Sequence, residues 1–381
     1  MKICIAPSRV LSSPKMGGHA WVYFNWTLGF QDCGCNVVWL ERFHPAVAAA
    51  DALFQLRRLR ENFDALGVSA EIALVMSPEQ QAQLHGVVEA IRELTVPLHD
   101  AIAESDLLVN FYYALEPELL CRFKQTALLD IDPGLLQHWI KQRQLKVGAH
   151  DWYFTTGETV GGSESRVPDC GLNWLYTPPV VDVKSWPVVS ADAGSCYTTV
   201  SNWWAEWETI EGETFSNEKR TSFLDYLDLP ANLSAPLELA LCLTDAEQTE
   251  REALRRKDWH LQDAWRICET PTDYRGYIQQ SRGEFSCAKP SCLRLQNAWI
   301  SDRTLCYLAS GKPAIVQHTG ASRILPDGDG LFRFRNLQEA VNAFEQVEGD
   351  YERHCRTARL LATEYFDATK VVGRFLERIT P

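Results

Sequence analysis

Short apolar, β-branched runs alternate with longer stretches whose apolar residues recur at helical spacing, and this alternation happens twice along the chain. No other feature limits the fold as strongly. Residues 3–6 read as a strand, 20–30 as a helix, and 36–40 as a second strand. Residues 46–66 follow as an amphipathic helix carrying Leu53, Leu56, Leu59 and Phe63 on one face. Residues 70–75, 106–111, 126–131 and 152–155 read as further strands, with a helix over 78–93. Strands that are apolar throughout, separated by helices, predict a parallel sheet covered on both faces.

The run Pro178-Pro179 to Pro187, holding Val180-Val181 and an isolated Trp186, marks a domain boundary. Beyond it the theme restarts with strands at 196–200, 237–243, 284–287 and 314–317. Helices are expected over 250–256, 272–280, 302–309, 337–347, 351–366 and 370–379. The expected class is therefore α/β, with two Rossmann-like domains facing across a cleft, 1–184 and 185–366. Segment 367–381 forms a last helix that either returns to the first domain or packs on its own. A length of 381 residues suits two domains better than one core.

Charge and cysteines narrow the functional classes. Lysine and arginine number 37 against 50 aspartates and glutamates, and the net charge of −13 disfavours nucleic acid or an anionic membrane as partner. No apolar run approaches the ~20 residues that span a bilayer, and Met1-Lys2-Ile3-Cys4-Ile5-Ala6-Pro7 lacks the apolar length of a signal peptide. A soluble, cytoplasmic protein is expected. Most of the 12 cysteines, such as Cys4, Cys196, Cys242 and Cys306, sit inside apolar patterns and read as small buried hydrophobes. No Cys-x-x-Cys pair exists, so a structural zinc site is not expected.

Four stretches could carry chemistry. Ser12-Ser13-Pro14-Lys15-Met16-Gly17-Gly18-His19 joins the first strand to the first helix, where open α/β sheets bind ligands. Gly17 and Gly18 would let backbone N–H groups approach a phosphate, or simply form a tight turn. His19 is a candidate base or a helix-cap residue. In Asp130-Ile131-Asp132-Pro133-Gly134, the two carboxylates at a strand end suit acceptor-hydroxyl binding or general-base work, or Asp132 is an N-cap with Pro133 in the first helical position. Thr199 and Ser201 near the end of the strand that follows could meet phosphate, and of Trp203 and Trp204 one is expected in the core. The richest block is 281–330. There Glu284 could hold two hydroxyls of a ribose or sugar, while Arg282 or Lys289 neutralises a diphosphate. Thr319-Gly320 could cradle that diphosphate with backbone N–H groups.

This block, with its Glu284 turn, the helix running into Ala309-Ser310-Gly311-Lys312-Pro313, and the Pro326-Asp327-Gly328-Asp329-Gly330-Leu331 turn, resembles the donor half of bacterial GT-B glycosyltransferases. Gly17-Gly18-His19, the Gly34-Cys35-Asn36-Val37 turn and Asp130–Gly134 are similar to a branch of the same superfamily. The resemblance implies a metal-independent hexosyltransferase with a nucleotide-sugar donor, a UDP-sugar being expected, and no other cofactor. It adds Asp302, Arg303 and His318 to the donor-binding set and makes His19, Asp132 and Glu284 the catalytic candidates. Cys306 stands where retaining members carry a second glutamate, which leaves the stereochemical course open, with Asp302 as a substitute. The acceptor could be a small molecule, a glycan or a protein. Alternatives on the same fold are a nucleotide-sugar epimerase or hydrolase and a non-catalytic nucleotide-sugar-binding protein.

Overall fold

The computed structural model describes residues 1–163 and 165–379. Glu164, in the polar loop after the strand at 152–155, and the last two residues of segment 367–381 lie outside that description. The first half forms seven strands: β1 (Lys2–Ala6), β2 (Asn36–Glu41), β3 (Ala70–Leu74), β4 (Leu107–Asn110), β5 (Thr126–Asp130), β6 (Trp152–Thr155) and β7 (Trp174–Tyr176). They pair in parallel in the order β3-β2-β1-β4-β5-β6-β7. Helices cover both faces, which is why β4 and β5 are buried at every residue.

The second half builds β8 (Tyr197–Asn202), a short antiparallel hairpin of β9 (Trp207–Ile210) and β10 (Glu213–Ser216), then β11 (Leu237–Cys242) and β12 (His260–Asp263). It finishes with β13 (Gly283–Ser286), β14 (Ala314–Gln317) and β15 (Leu331–Phe334). Its sheet runs β12-β11-β8-β13-β14-β15, all parallel. Both sheets thus follow one winding: the chain starts centrally, moves to one edge, then returns and fills the other side. The order reverses between β1 and β4 in one domain and between β8 and β13 in the other. Outside the carboxyl ends of such strands, connections diverge and leave a crevice.

The expected helix over 78–93 is broken into Pro78–Gln83, a tight turn His85–Val87, and Val88–Glu93. Gly86, costly in a helix interior, sits at the break. The helix expected over 351–366 is α-helical only for Tyr351–Leu361 and widens into a π-turn over Ala362–Phe366. The chain then crosses back. Val181 N–H donates to Phe366 O and Ala368 N–H to Val181 O, at 2.9 Å each, so the two crossings between domains lie side by side. The terminal helix Ala368–Ile379 buries Val372 and Phe375 against the helix Gly17–Asp32, with Phe375 at 5.8 Å from the Trp26 ring and 6.0 Å from Phe30. Of the two placements open to it from sequence, it takes the one on the first domain. Among the described residues no helix is long and apolar enough to cross a membrane.

The helix Gly17–Asp32 carries one of the contacts between domains; others join Trp139 Nε1–H to Glu208 Oε2 at 3.1 Å and Asn297 Nδ2–H to Pro133 O at 2.6 Å. Gly17 N–H donates to Cys268 O at 3.1 Å and Trp21 Nε1–H to Pro271 O at 2.7 Å. A Cβ on Gly17 would lie 2.1 Å from Thr270 O. Gly17→Ala is therefore expected to lower the melting temperature and enlarge the radius of gyration in X-ray scattering, although alanine is the better helix former by ~1 kcal/mol. Gly373→Ala, in the terminal helix with open space around it, is the control and should be neutral or stabilising.

Candidate active site

A cavity of about 470 Å³ lies between the carboxyl ends of the two sheets. The first domain contributes an apolar wall from the helix Gly17–Asp32 and the segment after β4: Val22, Tyr23, Trp26, Phe111 and Tyr113. Its polar and charged groups include His19, Asp132, Ser8, Thr156 and Lys15. His19 Nε2 meets Ser8 O at 2.5 Å, so that nitrogen carries the hydrogen and the lone pair stands on Nδ1. Asp132 follows β5; its Oδ2 accepts from Tyr113 Oη at 3.3 Å, and its own N–H donates to Asp130 Oδ1 at 3.0 Å. Asp132 does not cap the next helix. Gly134 occupies that position, its N–H donating to Gln137 Oε1 at 2.6 Å, and the helix begins at Leu135. The neighbouring Asp130 is fully buried between Gln137 and Thr155, at 2.7 and 2.8 Å, and burial pushes its carboxyl up to about 7. It has no face on the cavity.

Three cations stand on the opposite wall. Lys219 opens the short helix after the β9–β10 hairpin, Lys289 follows β13, and Arg303 lies in the first turn of the helix Asp302–Ala309. Arg303 is held from behind: Nε donates to Glu284 Oε1 at 2.8 Å and Nη1 to Val200 O at 3.0 Å. Burial, then the charges of Arg303 and Lys289, lower Lys219 to about 7. Among the described residues neither Lys219 nor Lys289 forms a salt bridge. The same wall carries Ser201 and Asp302. Burial raises the Asp302 carboxyl against the opposing pull of Arg303 and Lys219 beside it and of His19 on the other wall.

Gly17, Gly18, His19, Asp132, Ser201, Lys289, Asp302 and Arg303 thus border one cavity. Gly17 and Gly18 do so as the first turn of a helix rather than as a loop, and the Gly17 N–H is already bonded to Cys268 O. Their lack of side chains admits the second domain, with a Cβ on Gly18 falling 2.6 Å from the Tyr274 ring.

Six other candidates do not reach the cavity. Glu284 is 0% exposed, and the partner of its carboxylate is Arg303, not a ligand. Thr199 lies within β8 and is fully buried. Arg282 precedes β13, hence sits at the amino edge away from the cleft, bound to Glu348 at 2.7 and 2.6 Å and stacked on Tyr351 at 3.7 Å. His318 Nδ1 accepts from Gly320 N–H, and Thr319 Oγ1–H donates to Trp299 O at 2.5 Å while its carbonyl accepts from Ala298 N–H. Gly320 adopts φ +128°, and a Cβ there would meet Gln296 O at 2.5 Å. This turn therefore clamps the segment that presents Trp299, Ile300 and Ser301 to the cavity.

Lys219 escaped the sequence reading. It follows the carboxyl end of β8, where ligand contacts concentrate, but the hairpin inserted at 207–216 hides that relation. Of the tryptophan pair, Trp203 is in the core and Trp204, 41% exposed, lines the cavity mouth beside Arg220.

No protein-family model matches this sequence, and no curated protein sequence does. Solved structures do match over the whole chain. HepE (Alr3699) of Anabaena, solved in complex with UDP-glucose, superposes with a TM-score of 0.57 at 12% identity, covering 100% of this chain and 99% of its own. A glycosyltransferase from Rickettsia africae ESF-5 gives 0.54 at 10% identity over 99% and 97%. AviGT4, a glycosyltransferase involved in avilamycin A biosynthesis, gives 0.53 at 13% over 99% and 96%. Full-length coverage of both chains, with two parallel sheets facing across a cleft, defines this fold as GT-B.

Proposed function

We propose that the chain is a glycosyltransferase that moves a hexose from a UDP-sugar to an acceptor hydroxyl bound against the first domain. The observation that carries the reading is the cluster of Lys219, Lys289 and Arg303 at the carboxyl end of the second sheet, facing His19 and Asp132 across one cavity. A diphosphate is the group such a cluster suits, because it relieves the mutual repulsion of the cations. Those three charges supply the neutralisation of the leaving group that a metal gives elsewhere, which supports metal-independent transfer. The UDP-glucose held by the structurally similar HepE favours the same donor class. Twelve cysteines, all free, fit action in the reducing cytoplasm.

In the transfer the acceptor oxygen bonds to the anomeric carbon, its proton goes to His19 Nδ1, and the bond from that carbon to the diphosphate oxygen breaks. UDP leaves against the three cations. The reading makes an inverting enzyme, with Asp132 as the second candidate for the proton and Tyr113 orienting it.

The test is UDP binding by calorimetry across pH. Lys219, held near 7, is largely neutral in the free protein above that pH, and a bound diphosphate favours its charged form. Affinity should fall as pH rises through about 7, and binding should take up a proton in the same range. Lys219→Met should weaken UDP about 10-fold or more at neutral pH and abolish the uptake. Binding of UDP with no proton uptake and no effect of Lys219→Met would remove the diphosphate from this wall. Sugar release from UDP-glucose without any acceptor would turn the reading to a hydrolase or epimerase.

A further inference from the structure

Three neighbouring strands of the second sheet bring a thiol, a carboxylate and an imidazole together at the sheet edge opposite the cleft. Cys196 immediately precedes β8, Glu238 is the second residue of β11, and His260 opens β12. The register pairs Glu238 with His260 on one side and with Thr198 on the other. Side chains alternate along a strand, so Cys196, two residues before Thr198, shares its face. One sulfur, one carboxylate oxygen and one ring nitrogen consequently lie within 4.8 Å of each other, with Cys196 Sγ 3.7 Å from His260 Nδ1.

Donor type and spacing both matter here. Bonds of about 2.3 Å to sulfur and about 2.0 Å to nitrogen around a tetrahedral ion place those two donors about 3.5 Å apart, close to the observed 3.7 Å. The carboxylate is oriented from outside: Glu238 Oε1 accepts from Tyr277 Oη–H at 2.8 Å and Oε2 from Gln262 Nε2–H at 3.0 Å. Metal-bound carboxylates are commonly steadied by such partners. Cys196 and Glu238 are half-buried, and His260 is exposed, which leaves room for a water ligand. The sequence separations, 42 and 22 residues by subtraction from those positions, match no zinc motif, because the ligands are united by sheet register and not by a local turn.

We propose that Cys196, Glu238 and His260 form a Zn²⁺ site with water as the fourth ligand. Binding converts the Cys196 thiol to a zinc-bound thiolate and releases one proton, so affinity rises with pH. The ion ties the free edge of the sheet to its centre. Through Tyr277 it also fixes the helix Pro271–Gln280, whose amino end receives Trp21 of the first domain.

Cobalt is the probe. Reduced, metal-free, full-length protein titrated with Co²⁺ should develop a thiolate-to-metal absorption in the near ultraviolet and tetrahedral bands in the visible, both erased by Zn²⁺. Cys196→Ser should lose the thiolate band, and His260→Ala, at an exposed position, should weaken Co²⁺ binding at least about 10-fold; Tyr277→Phe should weaken it about 10-fold with the spectrum retained. Far-ultraviolet dichroism of each metal-free variant checks the fold. Absence of the thiolate band in the unaltered protein, or its persistence in Cys196→Ser, overturns the site. The readout needs no sugar donor, so it stands or falls separately from glycosyl transfer.

Discussion

Glu284→Ala should destabilise the second domain by about 3–5 kcal/mol, because it strands the Arg303 charge in the interior with its principal partner gone. The carboxylate is fully buried in the second sheet, bonded at 2.8 Å to Arg303 Nε, and Arg303 is itself only 6% exposed. In sequence Glu284 looks like a residue that grips ribose or sugar hydroxyls; its place behind the arginine makes it a positioning residue. The two roles differ in what a pair of variants does. In the double variant Glu284→Leu with Arg303→Met neither member of the pair remains, and replacement of a buried ion pair by apolar groups is often neutral or stabilising. That variant should regain most of the stability lost in Glu284→Ala. It should still bind UDP more weakly, since the arginine that faced the diphosphate is gone. Thermal unfolding and calorimetric titration with UDP measure the two quantities separately. If Glu284→Gln kept full thermal stability while losing UDP affinity, the carboxylate would have to touch the ligand, contrary to its burial.

What could be read in the sequence, and what could not, follows from how far each signal is local. Buried parallel strands are mostly apolar, so β1, β2, β4, β5, β11 and β14 stand out, and the prolines at 178, 179 and 187 mark the crossing between domains. The strands β7, β12 and β15 are short or polar, as in His260-Leu261-Gln262-Asp263, and carry no such mark. Site membership is harder because it depends on which end of a strand a residue occupies. Lys289 and Arg282 flank the same strand, yet strand polarity sends one to the cleft and the other to Glu348. Gly17-Gly18 shows a different ambiguity: close backbone approach was legible, but whether to a phosphate or to the second domain depends on Thr270 and Tyr274, some 250 residues away by subtraction of their positions. Thr319 and Gly320 belong to a loop that serves the cavity only by holding Trp299.

His19→Ala should reduce kcat by about 10²–10⁴-fold, the range a positioned general base contributes, and leave UDP affinity within about 2-fold of the unaltered protein, since the diphosphate is assigned to the other wall. The tautomer supports His19 over Asp132. With Nε2 tied to Ser8 O, the basic nitrogen is fixed as Nδ1, on a helix held against the second domain by Gly17 and Trp21, so its distance to a bound donor is set by the domain contact itself. Asp132 instead shares its carboxylate with Tyr113, which orients it better for holding an acceptor hydroxyl than for taking a proton. Asp132→Asn keeps a group able to bind that hydroxyl and should raise KM more than it lowers kcat. His19→Gln can still donate toward Ser8 but offers no basic nitrogen, so it should match His19→Ala and not the unaltered enzyme. Turnover of UDP-glucose with a panel of acceptors, read as kcat and KM separately, distinguishes the two residues. A fall in kcat confined to Asp132→Asn, with both His19 variants active, would move the proton to the carboxylate and leave His19 as a residue that shapes the loop at Ser8.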